Sequence, residues 1–332
     1  MGTIERRLLD FYAQEPHFID HFAPIWAVLG LEERGSFFVP GRLLDHAKKR
    51  GVDATAWNGK FEGRSVLCFN SSGLLRLFTR LQGNRPIAFF EHGAGFTFGG
   101  LHSSYAGSPH GRKAVSLFCN PNKYAQRANQ RTFPKTRQAI IGCPKMDRWH
   151  NRPPKPMESD PVIAISFHWD CLVVPETRGG FGWYAKALPE LAKRHRLIGH
   201  GHPRIWKRVE GEYIRLGIEP VQDFEEVLER ADLYINDCSS TLYEFASTGR
   251  PVVVLNLPTY RRNRKIGLRF WEHSDVGVNC NHPESLCAAV DAALLDPMEQ
   301  RVKRESASRD VFPMRGHAAG AAAAAIRSLC ND

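Results

Sequence analysis

Short, nearly unbroken apolar runs recur along this chain, and stretches of helical period separate them. In the first half the runs are SFFVP (36–40), SVLCFN (65–70), PIAFFEH (86–92), AVSLFCN (114–120) and QAIIGC (138–143). Residues 41–50, 72–81 and 122–131 read as helices between them, and 17–29 places Phe18, Phe22, Ile25, Trp26 and Leu29 on one helical face. After residue 161 the alternation restarts with VIAISF (162–167), RLIGHGH (196–202), a short IEPV, DLYIND (232–237) and PVVVLN (251–256). Helical patterns intervene at 183–194, from Pro203, at 223–230 and at 239–248. Runs this continuously apolar belong to strands buried on both faces, which means parallel sheets covered by helices.

Between the two series lies RWHNRPPKPMESDP (148–161), whose four prolines and mixed charges read as a linker. The expected architecture is α/β: two Rossmann-like parallel-sheet domains facing a central cleft. The boundaries are 1–150 for the first domain, 151–161 for the linker, 162–300 for the second domain and 301–332 for a helical tail. That tail is interrupted at Val311-Phe312-Pro313 and is of a kind that can cross back onto the first domain. No internal repeat is visible.

With 332 residues and 42% hydrophobic content, the chain is long and apolar enough for two cores. The net charge of +10 allows an anionic partner: nucleotide phosphates, a membrane surface, a cell-wall polyol phosphate or nucleic acid. No helix-turn-helix, zinc-finger or RNA-binding signature accompanies it. The eight cysteines form no C-x-x-C and no zinc-like set with histidine, which points to a reducing compartment. The start MGTIERRLLDFYAQ has no signal-peptide core, Arg6 breaks the myristoylation pattern, and no apolar run is long enough to span a bilayer. A cytoplasmic location is expected, with peripheral attachment to a membrane surface compatible with the charge.

In open parallel sheets ligands sit outside the carboxyl ends of strands, so the residues after each run matter most. After PIAFFE comes His92-Gly93-Ala94-Gly95-Phe96-Thr97-Phe98-Gly99-Gly100. Phe98 stands where a dinucleotide fingerprint needs its last glycine, and no P-loop exists. His92 is placed either to act as a general base or to hold its loop by hydrogen bonding. After QAII, Gly142-Cys143-Pro144 is a turn signal, followed by Lys145 and Asp147, which either touch a ligand or flank the linker. After RLIGH, Pro203 suits the first helical position and puts His202 at a helix N-terminus, as a cap or as a phosphate ligand. After DLYIN, Asp237, Ser239, Ser240 and Thr241 open another helix. Thr241 and Glu244 have capping-box spacing, while Ser240 and Glu244 share a helix face suited to a diphosphate and its ribose. Arg261 and Arg262, in the run YRRNRK, are candidates for acceptor or phosphate contact, or plain surface charge.

His92-Gly93, Gly142-x-Pro144-x-x-Asp147, His202-Pro203 and Asp237-x-Ser239-Ser240 through Gly249-x-Pro251-Val252, in this order, resemble the CDP-glycerol glycerophosphotransferase family. Those are the teichoic-acid polymerases and primases of GT-B fold. The resemblance covers roughly residues 86–260 and departs from the family pattern at Ala94-Gly95 and at Cys238. It implies His92 as catalytic base and His202 as phosphate-binding histidine. Ser239 and Ser240 become pyrophosphate ligands, with Gly93, Gly142, Pro144, Thr241 and Glu244 on the donor side. The implied reaction moves a glycosyl or glycerophosphate group from a nucleotide-diphosphate donor to an acceptor hydroxyl, with no cofactor and no metal. A nucleotide-sugar epimerase and a non-catalytic nucleotide-binding module are the rival readings.

Overall fold

The structure is a computed structural model; it describes residues 7–61, 65–70, 85–91, 111–170, 178–259, 273 and 275–330. His92, Gly93, Arg261, Arg262 and the helix expected at 72–81 lie outside the described residues. The chain divides into two compact units, residues 1–151 with 311–332, and residues 152–310.

The first unit is built on seven parallel strands: β1 (Leu9–Tyr12), β2 (Arg34–Val39), β3 (Thr55–Ala56), β4 (Val66–Phe69), β5 (Ile87–Phe90), β6 (Leu117–Asn120) and β7 (Arg137–Ile140). Their order across the sheet is β3-β2-β1-β4-β5-β6-β7. Strand β1 is central, pairing with both β2 and β4, although its four residues come after a charged segment that gives no strand signal. One face of this sheet buries Phe11, Val66, Cys68 and Phe90 beneath the helix Pro16–Val28, whose Phe22 and Trp26 pack edge-on against Phe11. The helical face expected at 17–29 is therefore the buried one.

The C-terminal helix Ala318–Arg327 completes the same core through Ala322, Ala323 and Ile326. Its small side chains allow close approach, and Gly142 is part of that fit. Gly142 has φ +77°, and a Cβ there would stand 2.8 Å from both the Met314 and Ala318 Cβ atoms. Asp147 then accepts from the Ala318 and Ala319 amides (2.9 and 2.7 Å), which closes the open N-terminal turn of the helix. Arg327 near the other end forms a paired contact with the buried carboxylate of Glu33 (2.7 and 2.8 Å).

The second unit has six parallel strands: β8 (Val162–Phe167), β9 (Arg196–Gly201), β10 (Glu219–Pro220), β11 (Leu233–Asn236), β12 (Val252–Leu255) and β13 (Val278–Cys280). They lie in the order β10-β9-β8-β11-β12-β13. Ile163, Ile165, Phe167, Leu233, Ile235 and Val253 face a core closed by helices Leu188–Arg194, Trp206–Arg215 and Leu286–Leu294. Gly199 is small because the Tyr213 ring lies where its Cβ would be. The Tyr213 hydroxyl donates to the His200 carbonyl at 2.9 Å, which locks the Trp206–Arg215 helix onto β9. Strand β13 and the Leu286–Leu294 helix have no counterpart among the expected elements; three residues and an Ala-rich helix give weak periodic signals.

In this strand order the chain runs outward from β8 in one direction and from β11 in the other. Neighbouring connections therefore part above the carboxyl ends of β8 and β11, leaving a crevice. In the first unit the same reversal falls between β1 and β4.

Candidate functional site

The crevice of the second unit is lined by the residues just beyond β8, β9 and β11. His168 succeeds β8; its ring Nδ1–H donates to the Trp169 carbonyl at 3.1 Å, so Nε2 keeps the lone pair in the neutral ring. His202 succeeds β9 as the N-cap of the helical segment beginning at Pro203. Its Nδ1 accepts the Arg204 amide at 3.1 Å, so the proton of the neutral ring sits on Nε2. The ring thus caps the helix through Nδ1, which is the capping reading of His202. The His168 and His202 rings lie 5.2 Å apart, and the Arg204 guanidinium stacks 4.5 Å above Trp169.

After β11, Asp237 is 1% exposed and takes no part in capping. Its carboxylate accepts backbone amides from His168 (2.9 Å), Gly180 (2.6 Å) and Cys238 (2.7 Å). Burial raises its pKa to about 6 against the lowering effect of those amides. A carboxyl with a raised native pKa binds more protons folded than unfolded, so its stabilising contribution is lost as pH rises through about 6. The ionised carboxylate is held at a cost in stability.

The helix Thr241–Ala246 starts with Ser240 as N-cap, whose side chain makes no capping bond, while Ser239 Oγ accepts the Thr241 amide at 3.4 Å. This corrects the capping-box reading of Thr241 and Glu244. The Thr241 hydroxyl instead donates to Ser239 Oγ (2.9 Å) and meets the Tyr234 hydroxyl (2.9 Å). Ser239 and Ser240 are half-buried at the turn, with the Ser239 amide on Asn236 Oδ1 (3.1 Å). Glu244 is 0% exposed, so its carboxylate is not displayed on an open helix face as the i, i+4 spacing with Ser240 suggests.

Beside the β8 end the second unit has a cavity of about 560 Å³. His168, Asp170, Arg178, Phe181, Trp183 and Arg208 line it, together with the 257–259 turn after β12. Asp170 and Arg178 form a two-point pair at 2.5 Å that holds the Asp170 carboxyl below its usual range. The Arg208 guanidinium lies 5.1 Å over the Phe181 ring. The volume lies in the range of small-ligand pockets, and the lining combines aromatic faces with cations.

Of the expected site residues, His202, Ser239, Ser240 and Thr241 stand at the carboxyl edge of the second unit's sheet, His202 after β9 and the others after β11. Gly142 and Pro144 stand in the first unit, where Gly142 makes room for the C-terminal helix and Pro144 opens a short, buried turn. His168, Trp169, Asp170 and the Asp237 carboxylate's role are additions from the structure. The strand-end rule that selected His202 selects His168 equally once it is applied to the HWD just after VIAISF. Trp183 and Arg208 carry no local signal, since they reach the cavity from helical segments.

No family model matches the chain, and no curated protein matches it in sequence. Solved structures do. A variant of the wall teichoic acid polymerase TagF superposes with TM-score 0.65 at 14% identity, covering 98% of this chain and 90% of that one. A protein from Listeria monocytogenes described as a UDP-N-acetylglucosamine 2-epimerase gives TM-score 0.61 at 14% identity, covering 97% and 96%. MnaA from S. aureus, solved with UDP, gives 0.60 at 13%, covering 95% and 94%. These likenesses show the fold: two parallel-sheet α/β units of the GT-B-like kind.

Proposed function

We propose that this protein is a group transferase using a nucleotide-diphosphate donor, with the donor bound at the crevice of the second unit. The observation that carries this reading is the convergence of His168, His202 and the Ser239–Ser240 turn on the carboxyl ends of β8, β9 and β11, beside a 560 Å³ cavity. A diphosphate needs fixed donors that require no reorganisation as charge builds on the leaving phosphate. The His202 Nε2–H, held in place by its own Nδ1 cap, meets that need, with the Ser239 and Ser240 hydroxyls beside the same strand ends. His92 is the proposed base, taking the proton of the acceptor hydroxyl, and Arg261 and Arg262 are proposed contacts to phosphate or to an anionic acceptor.

Within this reading the transferred group is either glycerophosphate or a glycosyl unit. Attack at phosphorus releases a nucleoside monophosphate, as in the CDP-glycerol family; attack at an anomeric carbon releases a nucleoside diphosphate. A second reading, a nucleotide-sugar epimerase, is favoured by the full-length likeness to the Listeria protein. It converts its substrate with no acceptor. A thermal-shift panel of CMP, CDP, UDP, GDP, ADP and dTDP tests the site, with stabilisation by at least one as the expected outcome. Silence from all six would favour a non-catalytic scaffold. Identifying the released nucleotide with and without acceptor then separates the three chemistries.

A further inference from the structure

Residues 168–170 follow β8, and residues 178–180 precede the helix Phe181–Tyr184. The two stretches touch: a Cβ on Gly179 would collide with the His168 carbonyl. Both are fastened by one group. Asp237 accepts the His168 amide with Oδ1 at 2.9 Å and the Gly180 amide with Oδ2 at 2.6 Å, while Cys238 donates its own amide to Oδ1 at 2.7 Å. His168, Asp170, Arg178 and Gly179 line the cavity, but Asp237 does not.

We propose that Asp237 is the positioning residue of this cavity: its ionised carboxylate ties the backbone at His168 and at Gly180 to the end of β11, and ligand affinity depends on that tie. The proposal deepens the donor-site reading and, for its affinity arm, rests on it. Three charge-assisted amide bonds on one carboxylate explain why an acid is kept in an interior that resists ionising it. An asparagine there offers one acceptor oxygen and a donor that faces amide donors, so it cannot repeat the arrangement.

Among the described residues, the titratable groups facing Asp237 are Tyr184 from the Phe181–Tyr184 helix, Tyr213 from the Trp206–Arg215 helix, Tyr234 from β11, Cys238 beside it and His168 at the end of β8. Burial raises the pKa of all three tyrosines, so none of them changes charge near pH 6. His168 is the neighbour able to imitate an Asp237 titration, and Gly180 and Cys238 are therefore the reporters.

The test is amide NMR of deuterated, ¹⁵N-labelled protein across about pH 5 to 8. The Gly180 and Cys238 amide protons are expected to shift together with one midpoint near 6, in the wild type and in His168→Gln. Titration of these two amides with different midpoints in the wild type overturns the proposal, whether or not any variant folds. Calorimetry with the six nucleotides of the thermal-shift panel supplies the second arm. Asp237→Asn, with an unchanged melting temperature, is expected to bind whichever nucleotide the wild type binds about tenfold more weakly. Equal affinity in a folded Asp237→Asn removes the positioning role. If none of CMP, CDP, UDP, GDP, ADP and dTDP binds the wild type, the donor reading falls, and the amide titration still decides whether the tie exists.

Discussion

At His202 an observed cap and a proposed phosphate contact share one ring, and they can be taken apart. Nδ1 satisfies the Arg204 amide, one of the open donors at the start of a helix, and a cap of this kind contributes about 1 kcal/mol. Nε2–H is the part proposed to meet a phosphate. Asparagine at this position keeps an acceptor oxygen within reach of the Arg204 amide but has no ring donor at the Nε2 position. His202→Asn is therefore expected to melt close to the wild type while binding nucleotide about tenfold more weakly, the worth of one good hydrogen bond to an anion. His202→Ala loses both. Thermal melts and calorimetry on the pair check the separation, and loss of stability without loss of affinity would reduce His202 to a cap. The position was legible in Gly201-His202-Pro203 because proline so often opens a helix. The role of Asp237 was not, since a carboxylate that organises amides distant in sequence leaves no local pattern.

At the scale of elements, the C-terminal helix shows structural work done by a motif that was read for ligand contact. Gly142-x-Pro144-x-x-Asp147 stands after a strand and before the linker, and on resemblance its glycine and proline belong to the donor side. In the first unit Gly142 gives space to Met314 and Ala318, and Asp147 caps Ala318–Arg327. The helix's own sequence, rich in alanine, reads correctly as helical but conceals its partner, because alanine has no side chain that signals where it packs. An alanine at 142 must adopt a left-handed backbone and place its Cβ 2.8 Å from two others. Gly142→Ala is expected to destabilise the protein by roughly 2–4 kcal/mol. Denaturant unfolding measures this, and limited proteolysis is expected to cut first near residues 313–318. An unaltered unfolding midpoint would show that the helix docks without needing the glycine. Strands with long apolar runs, such as VIAISF and PVVVLN, were legible because burial on both faces writes itself into every position. Strand β1 was not: LDFY is short, contains a charge and owes its central place to partners on either side.

At the scale of the whole molecule, the two units share an order of strands without sharing a detectable sequence repeat. Six strands in each adopt one pattern, outward from the first and then outward from the fourth, and the first unit adds a seventh at the edge. In an open parallel sheet such a reversal of strand order is where a crevice forms at the carboxyl ends, which is the physical ground for reading the strand-end residues of both halves. The +10 net charge is the other property at this scale, and no single pocket accounts for it. Forty-five Lys and Arg against thirty-five Asp and Glu raise the local concentration of any polyanion and speed its arrival. If the acceptor is a polyol-phosphate chain, each neutralised phosphate releases condensed counterions, and log K falls about linearly with log salt. Poly(glycerol phosphate) is therefore expected to bind at low salt and to lose affinity steeply as salt rises, whereas binding of a small nucleotide in the cavity responds far less because it carries only one or two phosphates. Titrations of both ligands over a range of salt concentrations check this. A polymer that fails to bind at low salt would leave the charge without an acceptor role and move the choice toward the epimerase, which needs none.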